Sequence, residues 1–206
     1  MSGADDFSGL LKAHFSPVGT LTPAQLQSLH GHYQLLSRWN KVLNLTSVRS
    51  MEEAVRRHYC ESLFLATHLP PEPLSVLDIG SGAGFPGIPM AIFRPDCHFT
   101  LAESHRRKAV FLREASRDLP NVQVVAERAE ELTERFDWVV SRAVAWKQLR
   151  RVVGRLGRRL ALLLGEQDVA GVQATAGFGW QVPIPVPWTR QSFLLVSERM
   201  FHVEHS

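Results

Sequence analysis

LSVLDIGSGAGFPGIPMAIF, residues 74–93, joins a short apolar run to a glycine-rich turn and then to a second apolar run. The first part, LSVLDIG (74–80), suits a buried parallel strand better than a helix, because it is short, apolar and closed by glycine. The last part, PGIPMAIF (86–93), reads as a helix. Between them, glycines let the chain turn tightly and let backbone amides approach a ligand without a Cβ in the way, while the following helix presents its positive end.

The same alternation continues downstream. Strand-like runs fall at HFTLAE (98–103), VQVVAE (122–127), WVVSR (138–142) and LALLL (160–164), separated by helical segments HRRKAVFLREASRDL (105–119) and WKQLRRVVGRL (146–156). This spacing predicts right-handed βαβ units and an α/β fold with a mostly parallel, doubly wound, Rossmann-like sheet. In WQVPIPVPWTRQSFLLVSE, Pro183, Pro185 and Pro187 exclude a central strand but allow an edge, so an antiparallel hairpin is expected there. Upstream, PPEP (70–73) reads as a linker. Before it, Thr22, Pro23 and Gln25 open one amphipathic helix, and Ser50 with Glu53 caps a second. The expected organisation is an N-terminal helical appendage over 1–69, a ligand-binding domain over 74–200, and a loosely held tail over 201–206.

The 206 residues suit one ordinary domain with a small appendage. An apolar fraction of 45% and a charged fraction of 21% describe a globular chain that buries a proper core. Cys60 and Cys97 form no CxxC pair and have no histidine cluster beside them, so neither a disulfide framework nor a metal site is expected. The N-terminus lacks the pattern of a signal peptide, and no run approaches the length of a membrane span. A cytoplasmic location without a membrane partner fits these features. The net charge of +3 is compatible with nucleic acid but does not require it.

The turn fits two registers. Gly82, Gly84 and Gly87 give GxGxxG, which would suit a dinucleotide held through its pyrophosphate. Gly80, Gly82 and Gly84, with Asp78 ahead of them, give a DxGxGxG turn that resembles that of class I methyltransferases. The second register is favoured, because S-adenosylmethionine carries an ammonium that seeks a carboxylate or carbonyls, whereas an anion beside a pyrophosphate gains nothing. Glu103, at the end of the next strand, is placed to accept both ribose hydroxyls of a nucleoside. A glycine-rich turn can also simply pack a helix on a strand, but the strand, the helix and the spaced acid together favour a nucleoside site. After the third strand, Ala129 and Glu130 stand where an adenine edge needs a partner, although Glu130 reads equally well as a solvated acid. The fourth strand delivers Ser141 and Arg142 to the crevice, and an arginine ending an apolar strand needs an anion, a base or an ion-pair partner.

Two basic stretches lack balancing acids: Arg106, Arg107, Lys108, Arg113 and Arg117 against Glu114, and Lys147, Arg150, Arg151, Arg155, Arg158 and Arg159 against none. Either alone reads as a solvated helix face. With Arg49, Arg56, Arg57 and His58 they suggest an extended RNA-facing surface whose affinity would depend on salt.

RWNKVLNLTSVR (38–49), RRHYCESL (56–63), DIGSGAGFPGIPMAI (78–92), RAE (128–130) and FDWVVSRAVA (136–145) together resemble the ribosomal RNA small subunit methyltransferase G family, also called glucose-inhibited division protein B, from about Leu26 to Gly165. The resemblance implies a cytoplasmic enzyme that uses S-adenosylmethionine, releases S-adenosylhomocysteine, and forms 7-methylguanosine in 16S rRNA of the small ribosomal subunit; a monomer without a metal is expected. It places cofactor contacts on Gly80, Phe85, Ala129, Glu130 and Arg142, with Glu103 at the ribose. The chain departs from the family's pattern at Glu61, where aspartate is common, and at Leu164, where lysine is common and for which Arg158 or Arg159 would have to substitute. Guanine N7 carries an exposed lone pair at neutral pH, so no general base is required, and Arg142 and Ser141 are expected to position cofactor or base.

Overall fold

The structure is a computed structural model and describes residues 3–198; the expected loose tail at 201–206 lies outside the described residues. In chain order the elements are α1 (Gly3–Phe15), α2 (Pro23–Leu43), α3 (Met51–Ala54), a π-helical turn (Val55–Cys60), α4 (Glu61–Thr67), β1 (Ser75–Ile79), α5 (Gly87–Phe93), β2 (His98–Ala102), α6 (Arg106–Ala115), β3 (Val122–Val125), a 3₁₀ turn (Ala129–Glu131), β4 (Phe136–Arg142), α7 (Trp146–Leu149), α8 (Val153–Leu156), β5 (Gly157–Gly165), α9 (Glu166–Gln173), β6 (Ile184–Pro185) and β7 (Ser192–Val196).

The strand order is β3-β2-β1-β4-β5-β7-β6. The first five strands run parallel, and β7 and β6 pair antiparallel. Order therefore reverses between β1 and β4, and in open α/β sheets ligands bind outside the carboxyl ends of the strands at such a point. The mostly parallel sheet and the antiparallel edge follow the sequence expectation. Proline-containing β6 takes the outermost place, where a missing N–H costs no ladder bond.

Helix α2 opens on the expected reciprocal cap: Thr22 Oγ1 accepts from the Gln25 amide at 3.2 Å and Gln25 Oε1 accepts from the Thr22 amide at 2.9 Å. The Gln25 side-chain amide also donates to the carbonyls of Ile92 and Phe93, both at 3.2 Å, which ties the helix to the end of α5. Its buried face, Leu26, Leu29, His32, Leu35 and Leu36, joins a core that runs from Phe7 and Leu11 through Tyr59 and Leu63 to Val76 and Phe99 of the sheet. Helices and sheet thus share one continuous apolar cluster, so the N-terminal helices hold fixed positions against the strand ends. The second face of the sheet is covered by α8, α9 and their neighbours around Leu77, Val139, Leu160 and Leu195. Three elements depart from expectation: the helix over 146–156 is divided into α7 and α8 by a turn, and helices α1 and α9 are additional to those the sequence predicts.

Candidate active site

Gly80, Gly82 and Gly84 all hold positive φ, at 74°, 55° and 88°, a conformation that costs a residue with a Cβ about 1–2 kcal/mol. At Gly80 a Cβ would also run into Cγ2 of Val144, and at Gly84 it would meet Ile88 Cδ1 at 2.6 Å. Val144 arrives there because Ala143, with φ of 60°, turns the chain sharply out of β4. The glycine turn and the loop after β4 are therefore packed together at the switch point. Gly82 is open on its outer side and only half-buried.

Of the acids, Asp78 takes a place that differs from the sequence expectation. Asp78, expected beside an ammonium, is fully buried beneath the turn, where Oδ2 accepts from the Gly87 amide at 3.0 Å and Oδ1 has no partner. Burial raises its pKa to about 7. It braces the start of α5 from inside, on the sheet face that packs against that helix. Glu103 is 7% exposed, and its two oxygens accept from the amides of Gly82 at 3.0 Å and His105 at 2.7 Å. It closes the glycine turn onto the end of β2, so ribose hydroxyls would share a carboxylate that already shapes the loop. Ala129 and Glu130 lie in the 3₁₀ turn after β3, with Ala129 half-buried and Glu130 exposed. The turn is pinned by Arg155, whose guanidinium donates to the carbonyls of Leu132 and, at 3.1 Å, Glu130.

Ser141, expected to position a ligand, is 1% exposed and donates to the Ile79 carbonyl at 2.8 Å, which locks β4 to β1. Arg142 does reach the crevice. Its Nη1 donates to His58 Nδ1 at 2.8 Å and its Nη2 lies 3.3 Å from Glu61 Oε2. His58 is a further correction, because it is buried and absent from any RNA-facing surface. It stacks on Phe85 with ring centroids 4.6 Å apart, and its Nε2 lies 2.7 Å from Thr46 Oγ1. Burial, and next the Arg142 charge, lower its pKa to about 3. The neutral ring then accepts from Arg142 and donates to Thr46. Burial likewise raises the pKa of Glu61, with Arg142 opposing it. The π-helical turn that carries His58 into this position is a feature often found at functional sites.

A second buried histidine went unread in the sequence. His32 has its Nδ1 2.8 Å from Tyr59 Oη and its Nε2 3.1 Å from the Ala83 carbonyl. Burial lowers its pKa to about 4, so the neutral ring accepts from Tyr59 and donates to the glycine turn. Its signal was a polar residue on the apolar stripe of α2, between Leu29 and Leu36.

A cleft of about 820 Å³ opens beside Arg142, walled by Glu61, Trp146, Lys147, Leu164, Gln191 and others. A second, of about 1130 Å³, lies between the α3 region and residues 185–191. Arg57 borders both, and Arg56 donates to the Trp188 carbonyl at 2.8 Å. Arg49, Arg106, Arg107, Arg150 and Arg151 are exposed. The 105–108 and 147–151 segments follow β2 and β4, so both lie along the carboxyl edge of the sheet. Arg158 and Arg159 do not stand in for a lysine at Leu164. They sit at the opposite end of β5, about 20 Å away by strand rise, where Arg158 faces Asp137 at 3.8 Å and Arg159 lies 4.7 Å above Trp138. Lys147, Arg57 and Arg142 are the cations that share the cleft with Leu164. Both cysteines are free and buried, and no cluster of metal-ligating side chains occurs among the described residues. No helix among them is long and apolar enough to cross a membrane.

Sheet order, the glycine turn at the switch point and the acid ending β2 define the class I S-adenosylmethionine-dependent methyltransferase fold. Solved structures share it: a SAM-dependent methyltransferase from Aquifex aeolicus aligns with a TM-score of 0.58 at 13% identity, over 79% of this chain and 97% of that one. Fibrillarin from Aeropyrum pernix, crystallised with natively bound S-adenosyl-L-methionine, aligns with a TM-score of 0.53 at 15% identity, over 66% of this chain and 72% of that one. The chain belongs to the rRNA small subunit methyltransferase G family, whose model matches residues 25–160. Proteins described as ribosomal RNA small subunit methyltransferase G are similar to it: that of Yersinia pseudotuberculosis (strain YPIII) is 42% identical over 130 residues, and that of Sodalis glossinidius 44% identical over 129 residues. Each match covers 61% of this chain and 62% of the relative.

Proposed function

We propose that the chain is a cytoplasmic, monomeric methyltransferase that moves the methyl group of S-adenosylmethionine to N7 of a guanine in 16S rRNA. The observation that carries this is the turn of three positive-φ glycines closed by Glu103 at the switch point, read together with family membership. The site's chemistry fits the cofactor. Gly82 leaves the backbone open to a ligand, and the carbonyls of Gly80 and Gly82 take no turn donor, so they offer an ammonium what buried Asp78 does not.

When bound, S-adenosylmethionine supplies an electrophilic methyl on a sulfonium sulfur. Because N7 is a free lone pair, no residue has to remove a proton first. The chain's task is orientation, with the charge on the methylated base tolerated nearby. Arg142 stands at the end of β4 between the turn and the cleft, and its contact with His58, which stacks on Phe85, couples the two sides. Exposed Arg49, Arg57, Arg106, Arg107, Arg150 and Arg151 would carry rRNA backbone contacts along the carboxyl edge of the sheet.

Nucleoside mass spectrometry of small-subunit rRNA from strains with and without the gene tests the assignment. The expected result is loss of one 7-methylguanosine, restored by the gene and not by Arg142→Ala. Unchanged 7-methylguanosine overturns the acceptor, and calorimetry showing binding of NAD in place of S-adenosylmethionine overturns the cofactor.

A further inference from the structure

One carboxylate oxygen is left unexplained by the protein's own contacts. Glu61 is 2% exposed, its Oε2 pairs with Arg142, and its Oε1 is buried without a hydrogen-bond partner. Leaving a buried charged oxygen unpaired is costly. The Ser192 hydroxyl, on the cleft wall, lies near enough to favour the charged form of this carboxylate but makes no hydrogen bond to Oε1. Arg142 uses one N–H on His58 and one on Glu61, and a guanidinium has five. Both side chains border the cleft of about 820 Å³. From Arg142 to Glu61 the cleft is therefore backed by donors and then by an acceptor lying just beneath its surface.

We propose that Glu61 and Arg142 read the Watson–Crick edge of the acceptor base, with Arg142 donating to O6 of guanine and Glu61 Oε1 accepting from N1–H and the N2 amino group. This rests on the methyl-transfer function proposed above and names the groups that select the base. Guanine offers an acceptor followed by donors, which matches the wall. Adenine offers a donor at N6 and then an acceptor at N1, so it would set donor against donor and acceptor against acceptor. N7 lies on a different edge from N1 and N2 and stays free of both side chains. Trp146 adds a surface for the ring. It is half-exposed at the cleft, and it is held by its Nε1 donating to Thr175 Oγ1 at 2.7 Å and by edge contacts to Phe178 and Trp180 at 5.2 and 5.7 Å. An indole fixed in this way suits stacking by a base splayed out of its RNA strand.

The test uses the full-length protein and small-subunit rRNA in which the methylated guanosine, once mapped, is replaced by inosine. Inosine keeps N7, O6 and N1–H and lacks only the N2 amino group. Wild type should prefer guanosine by about tenfold in kcat/KM, a bidentate base contact being typically worth that or more. In Glu61→Gln, guanosine should lose about ten- to a hundredfold, and the preference over inosine should fall towards one. Calorimetric affinity for S-adenosylmethionine should stay unchanged. If wild type shows no preference, the proposal is wrong whether or not the variant folds. If Glu61→Gln slows both substrates equally, Glu61 serves only to hold Arg142 and base reading is overturned, while the methyl-transfer function stands. If wild type methylates no guanosine, the underlying function itself fails.

Discussion

Gly87 shows how closely single residues are fitted around the glycine turn. It needs no unusual φ, yet a Cβ there would meet Leu101 Cδ2, Asp78 Oδ2 at 2.7 Å and Asp78 Cβ at 3.2 Å. These are core atoms rather than free side-chain ends, so the cost is that of overpacking, about 1–3 kcal/mol. Gly87→Ala should lower the unfolding free energy by that amount, seen as a lower denaturant midpoint, and weaken S-adenosylmethionine binding with it, because Asp78 and the start of α5 must shift together. An unchanged midpoint in a urea titration would show that the turn yields more easily than its packing implies. His58 makes a complementary point. RRHYCESL contains Arg56, Arg57 and His58 in sequence, and by composition all three belong to a basic surface. The structure exposes the arginines and buries the histidine, because the helix is π-wound over Val55–Cys60 and Phe85 offers its ring a face to stack on. Composition registers the cluster but not the rotation of one member out of it.

Among the elements, α6 is built against its own dipole. Arg106, Arg107 and Lys108 fill its first turn, no acid is present there, and His105 provides no side-chain cap. Positive charge at the positive end of a helix costs about 0.3–1 kcal/mol per residue, so these residues are poorly placed for stability and well placed along the proposed RNA edge. Arg106→Glu with Arg107→Glu should therefore raise the stability of the protein by about 1 kcal/mol, measured by thermal melting. The same change should weaken binding to small-subunit rRNA and flatten the dependence of log affinity on log salt by about two. Unaltered RNA binding would assign α6 to the solvent. Legibility differed between elements for physical reasons. β1, β2, β4 and β5 announce themselves as short apolar runs, and the glycine turn by its three glycines, since both patterns follow from local geometry. The break between α7 and α8 does not, because the chain opens over residues 150–152 and α8 is tied through the Arg155 side chain to the carbonyls of Leu132 and Glu130, far away in sequence. Asp78 and Glu103 were found as acids at strand ends, but which of them faces the crevice depends on burial that only the folded chain decides.

At the scale of the whole molecule, the core beneath the site holds ionisable groups in neutral form, and this sets how stability responds to pH. His32 and His58 have folded pKa values of about 4 and about 3 against an ordinary 6.5, so between those values the unfolded chain binds more protons, and stability is lost as pH falls. Asp78 acts in the opposite sense. Its folded pKa of about 7 exceeds the ordinary 3.8, so the folded chain holds the extra proton over that interval and stability falls as pH rises through it. Between pH 4 and 6.5 two histidine protons oppose one aspartate proton. One uncompensated proton remains, which corresponds to a loss on the order of 1 kcal/mol per pH unit of acidification. Glu61, raised by burial, adds to the Asp78 side within its own range. On the alkaline side, Cys60 is raised to about 12 and Tyr59 well above 10, both chiefly by burial, so stability should decline again as the unfolded thiol and phenol ionise, from about pH 9. Urea titrations from pH 5 to 10 should show a plateau near pH 7–9. Asp78→Asn keeps an acceptor for the Gly87 amide and removes the compensating carboxyl, so it should steepen the acid limb towards two protons while leaving it positive in sign. Removal of an acid would then make the protein more sensitive to acid. A slope unchanged by Asp78→Asn would mean that Asp78 is ionised in the folded state and that its unpartnered Oδ1 is satisfied by solvent.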